Sequence, residues 1–169
     1  IADSTTPVAV AGVMGGFDSE VGETTTRVFL ESAYFNPVSV RRTARALGMQ
    51  TEASARFQRG ADPEMAAYAI DRAAALMQEF AGAKVAKGLL DVYPQPIPAK
   101  EITLRYARTD LLLGASVPPQ FQRGALQRLG FHLQSFDEKA ATFTVPSWRH
   151  DCAQEADLIE EVARLYGYE

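Results

Sequence analysis

The chain has 169 residues, of which 47% are hydrophobic and 22% charged, and its formal net charge is −4. This composition is typical of one or two folded domains, and it excludes a disordered chain and a chain that binds nucleic acid through overall positive charge. The single cysteine, Cys152, excludes an internal disulfide and a cysteine-rich zinc site, and it is consistent with a reducing compartment.

The sequence as given predicts no membrane-spanning helix. No stretch approaches the roughly 20 apolar residues that a membrane-spanning helix needs, and the first residues lack the basic and apolar parts of a secretory signal. The chain has no initiator Met and begins in strand-like sequence. We therefore expect no membrane partner, and we interpret the chain as a piece of a longer protein.

The first part of the chain predicts strands alternating with helices. Asn36 and Pro37 are the residue types preferred at an N-cap and at the first helical position, and Gly48 ends that helix. Asp62 and Pro63 begin a second, Ala-rich helix with one apolar face that ends at Gly82. Residues 50–60 between these helices predict a loop or short turn. The expected strands are residues 7–13, 27–34 and 85–93.

Three prolines within residues 94–98 predict a stiff linker between a first domain, residues 1–93, and a second, residues 99–169. The second domain predicts two helices followed by a two-stranded wing and a last helix. Its expected elements are strand 101–105, helices 107–113 and 118–130, strands 131–136 and 141–145, and helix 154–166. The fold class is α+β, with a winged-helix-like second module.

Two polar segments of the first domain allow two readings each. The glycines of residues 12–16 indicate either a tight turn with positive φ or a close approach of the backbone to a ligand; the spacing is not that of a dinucleotide fingerprint. Residues 51–57 combine hydroxyls with small side chains, which suit a ligand pocket. They are equally suited to an exposed loop that supplies its own caps.

Asp151, Asp157, Glu160 and Glu161 form an acidic cluster at the last helix. Residues three and four apart share a helix face, and crowded carboxylates suit Mg²⁺, which prefers oxygen ligands. The alternative is that these acids favour the helix N-terminus and that Arg164 pairs with one of the glutamates.

Other polar and aromatic residues of the second domain give weaker signals. Trp148 is expected to be a core anchor rather than a platform for stacking bases. Neither histidine has a metal-ligand spacing, and no Ser/His/Asp arrangement is present. Four arginines form either a weak basic stripe or, more simply, a solvated face: Arg105, Arg108, Arg123 and Arg128.

One carboxylate in the first domain stands among apolar neighbours. Glu31 lies within the strand-like run TTTRVFLESAYF. A carboxylate that leaves water needs a hydrogen-bond donor to face. Glu31 therefore lies either in solvent at a strand end or on the wall of a pocket that holds a polar group.

Long ordered strings across nearly the whole chain resemble the bacterial phenylalanyl-tRNA synthetase β subunit. They are PVAVAGVMGG, LESAYFNP, ARALGMQTEASARFQRGADPE and PSWRHDCAQEADLIEEVARLYGYE. The resemblance implies the C-terminal half of that subunit's editing domain, followed by a winged-helix-like module. It also implies a cytoplasmic protein that works with an α subunit in an (αβ)₂ heterotetramer and binds tRNA(Phe).

The resemblance further implies an editing pocket that hydrolyses tyrosine wrongly attached to tRNA(Phe). Glu31 would accept the tyrosine hydroxyl, Gly15 would border the pocket, and Thr51 and Ala53 would shape its floor. Because a hydroxyl barely hinders entry into an apolar synthetic site, a second site must remove the error. None of these residues is an evident general base, so the implied roles are in binding.

The resemblance also implies that the acidic cluster of Asp151, Asp157, Glu160 and Glu161 holds Mg²⁺ near the α-subunit boundary. ATP would bind the α subunit. The basic and imidazole side chains that the family adds from the first half of the domain are missing here, so this chain alone is expected to be inactive. The alternative function is a stand-alone RNA-binding or small-ligand-binding module without enzymatic activity.

Overall fold

A computed structural model describes residues 1–167, which separate into two compact units. The first unit is Ile1–Pro94, and the second begins at Gln95. Each unit combines helices with a small antiparallel sheet, so the predicted α+β class is confirmed.

The first unit contains a short hairpin and three helices. The hairpin pairs β1 with β2 in antiparallel register, Ala9 opposite Gly15 and Val10 opposite Met14. Single turns of 3₁₀ helix at Phe17–Ser19 and Pro63–Met65 precede longer elements. The elements are β1 (Ala9–Val10), β2 (Met14–Gly15), α1 (Pro37–Ala46), α2 (Glu52–Phe57) and α3 (Ala66–Ala81).

The predicted strands of the first unit are wrong in extent or absent. Strand 7–13 shrinks to β1, because the chain turns at residues 11–13 rather than after them. Residues 27–34 and 85–93 form no strand, since no other segment of residues 1–167 pairs with them. A strand is held by hydrogen bonds to a neighbour, so β-favouring sequence without a partner stays irregular.

Side-chain caps mark where helices α1 and α2 of the first unit begin. The Asn36 side chain accepts hydrogen bonds from the N–H groups of Val38 and Ser39, as predicted, and α1 ends before Gly48 at φ +64°. The expected loop at residues 50–60 is corrected to helix α2, which Thr51 caps. The predicted start of the Ala-rich helix is wrong, because Asp62 caps the 3₁₀ turn Pro63–Met65 and α3 begins at Ala66 without a side-chain cap. α3 ends at Gly82 as expected, yet none of its residues is fully buried.

The second unit forms a three-stranded antiparallel sheet with three helices. Strand order is β3–β5–β4, so the N-terminal strand pairs with the second strand of the wing. The predicted elements are confirmed to within about two residues. They are β3 (Glu101–Arg105), α4 (Tyr106–Leu113), α5 (Pro119–Arg128), β4 (His132–Phe136), β5 (Ala140–Thr144) and α6 (Glu155–Tyr166).

The two units differ in how well their cores are closed. In the second unit, buried side chains from the sheet and from α5 and α6 make one cluster that includes Leu104, Leu126, Phe143 and Leu158. The first unit buries three hydrophobic residues in its cluster and leaves large apolar side chains in solvent. The most exposed of these are Phe17, Phe29, Phe80, Leu90 and Val92.

Trp148 is not the predicted core anchor, because 55% of the residue is exposed. The Trp148 ring lies over Gly130, whose φ is +87°. The ring leaves no room for a side chain at Gly130, because an added Cβ would lie 3.0 Å from Cζ2 of Trp148. The ring therefore covers a glycine turn at the surface of the second unit.

Gly130→Ala should lower the free energy of unfolding by about 1–2 kcal/mol, because alanine is strained at this φ. Urea unfolding followed by the fluorescence of Trp148, the only tryptophan in the sequence, measures the change. Gly124→Ala in α5 is the control: its Cβ meets nothing within 4 Å, so helix propensity should raise stability by roughly 0.5–1 kcal/mol. Equal stability of the two variants would contradict this account.

Candidate binding cleft

A cleft of about 400 Å³ opens in the first unit between the β1–β2 hairpin, the segment before α1 and the start of α2. All four residues predicted for a binding pocket, Glu31, Gly15, Thr51 and Ala53, line it. The structure thus brings together residues that are up to 38 positions apart in the chain.

The hairpin turn forms one wall of the cleft. Gly12 has φ +66°, and an added Cβ would lie 2.9 Å from a ring carbon of Phe35, so both the turn and the packing require glycine. The tight-turn reading of residues 12–16 is therefore correct at Gly12. At Gly15 an added Cβ would meet nothing within 4 Å. Gly15 thus leaves the cleft open where a side chain would begin to fill it.

Thr51 joins the hairpin turn to α2. Its hydroxyl donates to the carbonyl oxygen of Val13, and it accepts the N–H of Ser54 at 3.0 Å. Ser54, which is buried, returns the contact by accepting the N–H of Thr51 at 2.9 Å. This reciprocal capping box fixes where α2 begins. Residues 51–57 therefore cap and form a helix rather than the exposed loop of one reading, and some of them also line the cleft.

The back of the cleft is aromatic. Phe35 and Phe57 meet edge to face, with ring centroids 4.9 Å apart and planes at 82°. Both rings pack against the buried cluster of Val13, Val40 and Ala44. Such pairs favour this geometry because the positive ring edge meets the negative ring face. The cleft therefore offers an apolar surface that suits another ring.

Two carboxylates border the cleft, and they differ in their partners. Glu52 makes an ion pair with Arg56 at 3.0 Å. Glu31 is exposed and has no hydrogen bond or ion pair with any other residue of the described chain. An unpaired carboxylate is an acceptor only, so it is suited to a ligand that brings a donor.

The ionisable side chains of the cleft lining are two carboxylates, Glu31 and Glu52. Among the described residues, no histidine, cysteine, lysine or serine lines it. The arrangement can bind an aromatic group and accept a hydrogen bond from it.

The acidic cluster of the second unit is organised by an arginine. Arg149 donates to both oxygens of Asp151, at 2.9 and 2.7 Å, and its Nη2 also lies 2.7 Å from Oε1 of Glu161. Arg164 reaches the other oxygen of Glu161 at 2.7 Å. Glu161 is buried, so these two guanidinium groups compensate a charge that has lost its water.

The remaining acids of the cluster have separate environments. Asp157 accepts the N–H groups of Ala153 and Gln154 at 2.7 and 2.9 Å, and these bonds lower the pKa of its carboxyl. Glu160 is exposed. No three or more Asp, Glu, His or Cys side chains among residues 1–167 converge as a metal-binding group. As placed, the four carboxylates do not fit an ion, and the Mg²⁺ site stays a prediction.

The arginines of the predicted basic stripe are engaged within the second unit. Glu155 lies 2.6 Å from Arg105 and 3.2 Å from Arg108. The Arg123 guanidinium lies 4.4 Å from the ring centroid of Phe136, and Arg128 lies over Phe121. These contacts favour the solvated-face alternative over a continuous free basic stripe.

Known protein families match both units of the chain. The B3/4 domain family matches residues 1–82, and the tRNA synthetase B5 domain family matches residues 102–168. The phenylalanine–tRNA ligase β subunits of Geobacter sulfurreducens and Salinibacter ruber are 47% and 48% identical over 169 residues, which is 100% of this chain. That of Moorella thermoacetica is 49% identical over 168 residues, 99% of the chain.

The chain belongs to the phenylalanine–tRNA ligase β-subunit family. It spans about a fifth of the length of these relatives: 21%, 20% and 21% in the order given. Within residues 1–167 of this family member, no helix is long and apolar enough to cross a membrane.

Sequence reasoning missed two residues that shape the sites of this β-subunit family member. Phe35 was not expected in the cleft, although it directly precedes the Asn36 cap and so had to lie beside α1. Arg149 was not expected in the acidic cluster, although it lies two residues before Asp151. A cation that close to crowded acids is the signal that would have identified it.

The pairing with Arg149 lowers the pKa of Asp151 to about 2. Since the folded-state pKa lies below the unfolded value, the stabilisation is present above about pH 4 and is lost as the pH falls towards 2. Asp151→Asn should therefore reduce stability near pH 6 but not near pH 2. Urea unfolding followed by Trp148 fluorescence measures the free energy of unfolding of both proteins over this pH range. If the difference in free energy of unfolding between the wild type and Asp151→Asn stays constant with pH, the pairing of Asp151 with Arg149 is contradicted.

Proposed function

We propose that this chain is part of the β subunit of a phenylalanine–tRNA ligase and that its cleft contributes to hydrolytic editing of tyrosyl-tRNA(Phe). The observation that carries the proposal is that Glu31, Gly15, Thr51 and Ala53 line one cleft. The names of the relatives, which are aligned over the whole chain, support the assignment to the ligase.

In this proposal Glu31 accepts the hydrogen bond of the tyrosine hydroxyl. Its carboxylate borders the cleft and has no partner within the described residues, so nothing in the unit competes for it. A hydrogen bond to a charged acceptor is worth about 1.5–3 kcal/mol. Phenylalanine cannot make this bond, so the correct product would lack this stabilisation and would be hydrolysed more slowly.

The other residues act through shape. Phe35 and Phe57 offer the ring an apolar surface, while Gly15 and Ala53 keep the space open by having little or no side chain. The volume lies within the range of roughly 300–1,000 Å³ that is typical of small-molecule sites. Thr51 acts indirectly, because its hydroxyl is already committed to Val13 and Ser54. Hydrolysis would rely on a positioned water and on the terminal ribose of the tRNA.

The partners belong to the same proposal. We infer an α subunit that carries the ATP site, an (αβ)₂ heterotetramer, tRNA(Phe) as the RNA partner and a cytoplasmic location. The name of the relatives, phenylalanine–tRNA ligase β subunit, supports the α-subunit partner and the tRNA. Mg²⁺ at the acidic cluster follows from the family assignment alone. An ion there would have to replace Arg149 as the partner of Asp151 and Glu161.

The alternative, a stand-alone binding module, predicts a first unit that closes its own core. The exposed apolar side chains of this unit, such as Phe29 and Leu90, argue against it. Exposed apolar surface of this kind is typical of a face that other protein covers. The proposal of a β-subunit segment accounts for this surface.

Glu31→Ala in the full-length enzyme should reduce the preference for tyrosyl-tRNA(Phe) over phenylalanyl-tRNA(Phe) roughly 10-fold to 100-fold, the equivalent of one charged hydrogen bond. Deacylation rates on both substrates measure the ratio. Glu79→Ala, which removes an exposed carboxylate from α3, is the control and should leave the ratio unchanged. A ratio unaffected by Glu31→Ala would remove this residue from the site.

Ala53→Trp should stop editing by filling the cleft, with a fall of more than about 100-fold in kcat/KM for tyrosyl-tRNA(Phe) deacylation, or about 2.7 kcal/mol. Ala67→Trp places the same side chain on the exposed surface of α3 and should leave deacylation intact. Retained hydrolysis in the Ala53 variant, with an unfolding temperature equal to that of the wild type, would disprove the assignment.

A further inference from the structure

The outer surface of α1 carries three exposed arginines, Arg41, Arg42 and Arg45. Val40 and Ala44 turn the opposite surface of the helix into the core. Because an α-helix advances 3.6 residues per turn, Arg41 and Arg45 are neighbours one turn apart, and Arg42 lies beside them. The three form one continuous basic face, called here the α1 arginine face.

No residue of the described chain neutralises this face. None of its three side chains makes a hydrogen bond, ion pair or ring contact within residues 1–167. The second unit is different, since each of its arginines contacts a carboxylate or lies over an aromatic ring. Those arginines are Arg105, Arg108, Arg123, Arg128, Arg149 and Arg164.

The local charge opposes the charge of the whole chain. No Asp or Glu occurs between Glu31 and Glu52, so this stretch is positive in a chain whose net charge is −4. Like charges one turn apart repel and destabilise a helix unless an anion offsets them. The planar guanidinium group matches phosphate oxygens in a bidentate way, which lysine does not.

The same helix is adjacent to the cleft. α1 begins at Pro37, two residues after Phe35, which lines the cleft, and it packs against α2, which carries Ala53. A polyanion on the α1 arginine face would therefore lie within the same unit as the cleft. An RNA whose 3′ end enters the cleft is a polyanion that would reach both the cleft and the α1 arginine face.

We propose that Arg41, Arg42 and Arg45 bind backbone phosphates of the tRNA whose esterified 3′ end enters the cleft. The proposal rests on the proposed editing function and adds the residues that hold the RNA. An acidic protein surface is the competing occupant, and the experiment below separates the two.

The test uses the full-length enzyme assembled with its partner subunit and carrying Arg41→Gln, Arg42→Gln and Arg45→Gln together. The KM for tyrosyl-tRNA(Phe) deacylation should rise at 150 mM salt with kcat unchanged. The slope of log KM against log salt concentration should fall by roughly 2 to 3, because each phosphate contact contributes about 0.7–0.9 to this slope. The corresponding Arg→Lys triple variant should retain most of the salt dependence, since it keeps the charge.

A matched triple variant removes the same charge elsewhere in the unit: Arg72→Gln, Lys84→Gln and Lys87→Gln, all at exposed positions. Its salt dependence should equal that of the wild type. An equal change in both triple variants, or no change in the α1 variant, would overturn the proposal. Loss of subunit assembly with unchanged KM would assign the face to a protein partner instead.

Glu31→Ala, measured in parallel, separates this proposal from the function on which it rests. If editing selectivity depends on Glu31 but the α1 variant binds tRNA normally, the arginine face is not the RNA site and the editing proposal stands. If the α1 variant loses its salt dependence while Glu31→Ala keeps full selectivity, the face binds RNA and the role of Glu31 is wrong.

Discussion

The cleft depends on one hydroxyl group. Thr51 donates to the carbonyl of Val13 and accepts the N–H of Ser54, so a single oxygen links the hairpin turn to the first turn of α2. Gly15 follows Val13 by two residues and Ala53 follows Thr51 by two, which means that this link sets the distance between two walls of the cleft. Thr51 thus holds two backbone segments together, and the cleft is shaped by backbone held in place around small residues.

Glu31 and Glu161 show how environment separates two chemically identical groups. Glu161 is buried and pairs with Arg149 and Arg164, which compensate its lost hydration. Glu31 keeps contact with water and has no partner among the described residues. A compensated carboxylate has no capacity left for a ligand, whereas an exposed one can exchange water for a donor. This difference favours a binding role for the first unit's acid and a structural role for the second's.

The sequence predicted what local interactions determine. The N-cap of α1, the glycine end of α3 and all the elements of the second unit follow from neighbouring residues and from strands whose partners are close in the chain. The predicted strands at residues 27–34 and 85–93 are wrong, because a strand needs a pairing partner that the described residues do not supply. The cleft residues came from the family resemblance, since nothing in their spacing shows that Glu31 and Ala53 meet. The acidic cluster was located, but its pairing with Arg149 depends on the fold of the turn before α6.

In the proposed editing site, discrimination depends on water as much as on Glu31. A carboxylate that remains hydrated loses little when phenylalanine enters, because water continues to supply its hydrogen bonds. It loses much more when the ring excludes that water, since an uncompensated charge in an apolar environment is costly. Glu31 is exposed in this unit, so the penalty against phenylalanine requires further surface to close over the carboxylate. Phe29, two residues before Glu31 and exposed, is one apolar side chain that such a surface would cover.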